Sequence, residues 1–142
     1  MPTKLTSLLL LLFIAGAISA QQSFTGVWKT IDDETDKPSG HVEIYKSGNA
    51  YFGKVVKMIK DPEDSKCEKC SGSRHNQRIL GMVMLENMVF DDGELQDGKI
   101  LDPGNGKWYT CKMWLKEGDP NVMVVRGYLW GFYRTQYWYR VK

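Results

Sequence analysis

No stretch of this chain beyond residue 20 keeps helical spacing of apolar residues for more than about two turns; short segments of alternating polarity recur instead between turn residues. Such a chain has no long helix face to bury. It can bury one face of a pleated strand, because side chains two residues apart point the same way. The alternation predicts strands over residues 24–31, 41–46, 51–59, 79–90, 98–101, 107–116, 122–130 and 133–141. Ser47-Gly48-Asn49 reads as a hairpin link, Gly81 as a bulge, Asp102-Pro103-Gly104-Asn105-Gly106 as a strong turn, and residues 117–121 as a further link. Over residues 107–116 the odd positions Tyr109, Cys111, Met113 and Leu115 make an apolar face, and Trp108, Thr110, Lys112 and Trp114 a mixed one. About eight strands with short links favour an all-β chain, a single antiparallel up-and-down barrel, because closure removes exposed edges. A two-sheet sandwich is the alternative.

The first twenty residues have a different composition. Lys4 precedes an apolar run over residues 8–15, and Ala17-Ile18-Ser19-Ala20 forms a small-residue cleavage site before Gln21. Residues 1–20 are therefore expected to be a signal peptide and residues 21–142 one exported domain, periplasmic or secreted. The apolar run is too short for a membrane anchor, which needs about 20 residues. No second run of that length follows, so no transmembrane segment is expected after cleavage. Lys and Arg number 19 against 17 Asp and Glu, a formal charge of +2, and this near balance argues against nucleic acid as a partner. No protein partner can be named from the sequence.

Residues 60–78 form the one long polar link, and such loops usually carry a function or are tied down. This one holds Cys67 and Cys70. Three readings of the pair stand side by side: a local disulfide in an oxidising compartment, a redox-active pair beside Lys66, Lys69 and Arg74, or two ligands of a metal site completed by His75 with Cys111 or His41. The disulfide is preferred and no metal is expected, because a second metal-binding knuckle is missing and no βαβ context surrounds the pair. Cys111, on an apolar strand face, reads as a core thiol. The acidic run Asp32, Asp33, Glu34 and Asp36 lacks the spaced ligands of a calcium loop and reads as a solvated turn. There is no GxSxG elbow, HExxH pair, phosphate-binding glycine loop or dinucleotide fingerprint. No catalytic residue and no cofactor are expected, and the chain does not read as an enzyme.

Gly26-Val27-Trp28 near the start and an arginine-bearing aromatic strand at the end resemble the calycin pattern, in which a GxW tryptophan is covered by a late arginine at the closed end of a barrel. More specifically, the segments GVWKTIDDET, HVEIY, CEKC, ILGM, GKILDPGNGKWYTCKMWL, VVRGY and RTQYW occur in the order typical of the exported bacterial family DUF2147. The resemblance covers residues 24–142 and implies a lipocalin-like barrel, with no established activity. Gly26, Trp28, Asp102 and Gly106 are then expected to be structural. The chain departs from the family pattern at Thr35-Asp36-Lys37, where glycine usually holds the middle position of the turn.

Alternation places Val122, Val124, Arg126, Tyr128 and Trp130 on one face of a strand, and Arg134, Gln136, Trp138 and Arg140 on one face of the next. If these faces line the barrel, Arg126, Tyr128, Arg134, Gln136 and Trp138 are the candidate ligand-binding residues. An arginine beside aromatic rings could then hold the acid group of an apolar molecule, or one arginine could instead plug Trp28. The expected function is binding of a small apolar or amphipathic molecule. A barrel filled by its own tryptophans, serving as an envelope interaction protein, is the alternative, and a thiol-dependent or hydrolytic enzyme the third.

Overall fold

A computed structural model describes residues 23–142; the expected leader, residues 1–20, lies outside them. Eight strands follow in order: β1 Gly26–Ile31, β2 Pro38–Ser47, β3 Ala50–Met58, β4 Val83–Asp91, β5 Glu94–Asp102, β6 Lys107–Lys116, β7 Asp119–Leu129 and β8 Phe132–Arg140. Each pairs antiparallel with the next, and β8 returns to β1 to close the barrel. The seam is short: β1 and β8 pair only at Trp28 with Arg140 and Lys29 with Tyr139, so beyond Lys29 the two strands diverge.

The strands differ from the expected ones where the backbone leaves the extended region. Residues 79–82 belong to the preceding loop, because Gly81 takes a φ of 89° and Met82 N–H turns back onto the Ile79 carbonyl at 3.0 Å. β5 begins four residues before the expected start at Gly98. Asp97 at a φ of 63° interrupts its alternation and shifts the register between Leu95 and Gly98, which hides the first half of the strand from a period-two reading. Trp130 is not a strand residue: with Gly131 it forms the two-residue β7–β8 turn, both at positive φ.

Alternation sorts the side chains into wall and interior. Trp28, Ile44, Leu85, Met88, Leu95, Met113 and Met123 are nearly inaccessible and fill the half of the barrel toward the links at residues 48–49, 92–93 and 117–118; Val42 and Trp138, equally buried, lie between them and the other half. The links at residues 32–37, 59–82, 103–106 and 130–131 surround the other end. Among the described residues, no helix is long and apolar enough to cross a membrane.

Candidate functional site

The filled end is sealed by its two termini. Trp28, wholly buried, donates its indole N–H to the Phe24 carbonyl at 2.9 Å. The Arg140 guanidinium lies 4.2 Å from the centre of the Trp28 ring and donates to the carbonyls of Ser23, Thr25 and Pro120 at 2.7, 3.2 and 3.3 Å. This is a cation over a π face with its N–H groups turned outward to carbonyl acceptors. Gly26 permits it. Its φ is 126° and a methyl there would meet the Lys142 carbonyl, which accepts the Val27 N–H at 2.7 Å.

The opposite half is hollow. A cleft of about 830 Å³ opens between the links at that end; its floor is apolar, with Val42, Val55, Met84, Val125 and Trp138 each at most 9% exposed, and Lys57, Lys60, Asp61, Lys66, Glu68 and Lys69 line its outer part. This volume is within the range of small-molecule sites, roughly 300–1,000 Å³. Thr30, Ser39, Tyr109, Gln136 and Arg134 add polar groups toward the mouth. There Arg134 is held between two carboxylates, its Nε 2.6 Å from Asp33 and its Nη2 3.1 Å from Asp102. Burial raises the Asp33 pKa against the opposing pull of Arg134. Burial would lower that of Arg134, but the bond to Asp102 and the nearby Asp33 charge outweigh it and raise the value. Arg134 therefore stays cationic and is already neutralised by protein carboxylates. Where β1 and β8 diverge, a side opening of about 260 Å³ reaches the same cluster between Ile31, Asp33, Arg134, Gln136 and Tyr137.

The long loop forms one wall of the mouth. Cys67 and Cys70 are joined in a disulfide and both are buried. Thiol exchange needs an accessible sulfur, so the pair serves here as a tether. Cross-loop bonds knit the segment: Cys67 N–H to the Gln77 carbonyl at 2.8 Å, Asn76 N–H to that of Cys67 at 2.9 Å, and Ile79 N–H to that of Ser65 at 2.9 Å. Arg74 fastens it to the barrel through an ion pair with Glu86 and by lying 4.9 Å from the Trp108 ring. Gly106, at a φ of 73°, lies so close to the Lys69 backbone that any side chain would collide with it. Its turn partner Asp102 accepts the Gly104 N–H at 2.8 Å through one oxygen and holds Arg134 through the other.

Of the residues singled out from the sequence, Arg134, Gln136 and Trp138 line the cavity. Arg126 and Tyr128 do not. The register pairs Met113 with Val125 and Cys111 with Gly127, which turns Val125 and Gly127 inward and the even-numbered set, with Arg126 and Tyr128, outward. Arg126 packs on the outer wall, 5.2 Å from the Trp114 ring and 4.6 Å from that of Tyr133, and donates to the Thr135 hydroxyl at 2.8 Å. Both faces of β7 are apolar enough at Val122, Met123, Val124 and Val125 that its composition does not say which is inner. Asp33, read as part of a solvated turn, is drawn into the mouth by Arg134. No local pattern marks it, since alternation from Trp28 and Thr30 points at Asp32. Asp32 itself caps the turn, accepting the Thr35 N–H and hydroxyl at 2.9 Å each and the Lys60 ammonium at 2.7 Å. Asp36 adopts a φ of 56°, so the turn keeps the left-handed geometry that glycine usually supplies. Cys111 is buried on the interior face and burial pushes its thiol up to about 12, leaving almost no thiolate at neutral pH. Among the described residues no three His, Cys, Asp or Glu side chains are placed to hold a metal ion.

An eight-stranded meander sealed by a GxW tryptophan under a late arginine, and hollow at the other end, defines a lipocalin-like barrel. A solved structure described as protein HP1028 from the human pathogen Helicobacter pylori, belonging to the lipocalin family, superposes with a TM-score of 0.72 at 17% identity over 84% of each chain. At that identity the likeness is one of fold. Residues 26–140 match the model of the family described as an uncharacterized protein conserved in bacteria, DUF2147, and the chain belongs to that family. No curated protein matches its sequence.

Proposed function

We propose that the protein is an exported carrier or sensor of a small amphipathic molecule, whose apolar part occupies the hollow half of the barrel and whose polar group stays at the Asp33–Arg134–Asp102 mouth. The observation that carries this reading is the cavity of about 830 Å³ lined by Val42, Val55, Met58, Met84, Val125 and Trp138. A barrel serving only as a rigid scaffold gains by filling such a space, since an empty interior forfeits packing. Only two of the five tryptophans, Trp28 and Trp138, are buried, so the self-filled alternative loses its main support. The mouth also narrows the ligand class. An acid head group would have to compete with Asp33 and Asp102 for Arg134, whereas a hydroxyl, amide or amine can bond to the cluster without breaking it. Export is supported by the leader pattern and by a buried disulfide, which persists in an oxidising compartment.

The test is titration with N-phenyl-1-naphthylamine, a neutral apolar fluorophore, together with native mass spectrometry of protein from its own host. Saturable binding of one probe per barrel is expected, weakened by Met58→Trp at the half-buried rim and by Val125→Phe deeper inside. Absence of saturable binding, or binding indifferent to both substitutions, would remove the ligand-binding reading.

A further inference from the structure

Trp130 in the β7–β8 turn is 86% exposed, and Phe132, the first residue of β8 and in register with Leu129, 80%. Turn chemistry does not explain the first: a two-residue turn with both positions at positive φ is best made by Asn-Gly or Asp-Gly, and Trp130 is held at a φ of 49°, an uncommon state for a bulky residue. Three more rings follow on the outer face of β8, Tyr133, Tyr137 and Tyr139, at 64%, 47% and 40% exposure. The outward positions around them, odd-numbered from 27 to 31 and from 133 to 139 and even-numbered from 108 to 114 and from 122 to 128, include Lys29, Lys112 and Arg126 and no Asp or Glu. Lys29 lies 5.6 Å from the Tyr139 ring, and Arg126 rests on Trp114 and Tyr133.

We propose that this face docks on an anionic lipid bilayer, with Trp130 and Phe132 entering the head-group region and Lys29, Lys112 and Arg126 facing the lipid charge. Trp and Tyr favour that region because their rings are apolar at one end and polar at the other, and basic side chains near the surface are drawn to anionic lipid. A bilayer suits the shape better than a protein would. The most exposed rings lie in or next to a projecting turn, which a soft phase can accept, whereas the energetic centre of a protein interface sits in a well-packed pocket. The outer wall of β6, β7, β8 and β1 carries Lys29, Lys112 and Arg126, with Glu43 and Glu94 only on the strands that flank it, across from Val27 and Trp114, and this wall is complementary to an anionic surface. The proposal does not depend on occupancy of the cavity.

Residues 23–142 contain every strand of the closed barrel, so the chain from residue 21 onward is the form to test. It is floated with vesicles of phosphatidylglycerol and phosphatidylcholine, and with vesicles of phosphatidylcholine alone. Binding to the anionic vesicles that weakens with salt, with quenching of tryptophan fluorescence by brominated acyl chains, is expected. Trp130→Ser with Phe132→Ser should lower the affinity at least tenfold, since burying each ring is worth roughly a factor of ten. Lys29→Gln with Lys112→Gln should lower it about threefold or more for the anionic vesicles only. Met58→Trp should bind vesicles as the unmodified chain does; loss of binding there would mean lipid uptake rather than docking and would overturn the proposal. So would failure of the unmodified chain to float, or undiminished flotation of the folded Trp130→Ser, Phe132→Ser protein. A dimer in sedimentation that those substitutions disperse, without vesicle binding, would assign the face to a second copy instead.

Discussion

Replacing Arg140 by alanine removes at once the cation over Trp28 and the donors to three carbonyls at the sealed end. A cation–π contact with partial burial is worth about 1 kcal/mol, and hydrogen bonds from a charged donor about 1.5–3 kcal/mol each. The bond to Ser23 is solvent-exposed and contributes little; those to Thr25 and Pro120 are long, at 3.2 and 3.3 Å, and count at the low end. Against them stands the cost of burying the guanidinium, visible as a pKa lowered by desolvation. The net expectation is a loss of about 2–3 kcal/mol. For a domain of this size that corresponds to a fall of about 10 °C in Tm. Urea unfolding followed by near-ultraviolet circular dichroism measures it, with an unchanged m-value showing that the transition stays two-state. Arg140→Leu separates the contributions, because leucine covers the Trp28 ring but offers no donors and no charge. A cost of less than about 0.5 kcal/mol for Arg140→Ala, or an Arg140→Leu protein as stable as the unmodified one, would refute this sealing role.

Gly106→Ala should cost about 3 kcal/mol, more than Gly118→Ala, because both pay for a side chain at positive φ, about 1–2 kcal/mol, but only Gly106 also faces the Lys69 backbone. Equal urea midpoints for the two variants would show that the long loop does not rest on Gly106. The hydrogen bonds to Lys60 and Thr35 lower the Asp32 pKa, so its contribution is fully present above the ordinary value near 3.8 and is lost as pH falls below it toward the depressed folded value. Urea midpoints of Asp32→Asn and the unmodified protein should therefore differ most near neutrality and converge in acid; a gap unchanged down to about pH 2 would refute the cap.

The fold class was legible because strand alternation is a local property. Once Tyr109, Cys111, Met113 and Leu115 share a face, a sheet with one buried side follows, and a series of such segments with short links is most simply closed as a meander. The sealing pair, Trp28 and a late arginine, was legible as a motif at the two ends of the chain, though not which arginine. Register decides that: pairing Trp28 with Arg140 rather than Arg134 leaves Arg134 near the other end of the strand. Register also decides inside from outside on β7. A strand apolar on both faces from Val122 to Val125 carries no local sign of which face is inner, so Arg126 and Tyr128 could be placed only by their neighbours across the sheet.

The mouth was hidden for a further reason. Asp33, Asp102 and Arg134 come from three turns or strand ends far apart in sequence, and each residue alone is an ordinary surface charge. Only closure of the barrel brings both carboxylates within 3.1 Å of the Arg134 guanidinium. By itself the sequence determined the period of the strands and the positions of most turns, and it set Cys67 and Cys70 close enough to pair, with the disulfide as the preferred of three readings; the structure joins them. The tertiary structure alone decided which half of the interior is filled and which is hollow, because packing depends on how side chains from eight strands meet across the barrel axis, and no single strand encodes that.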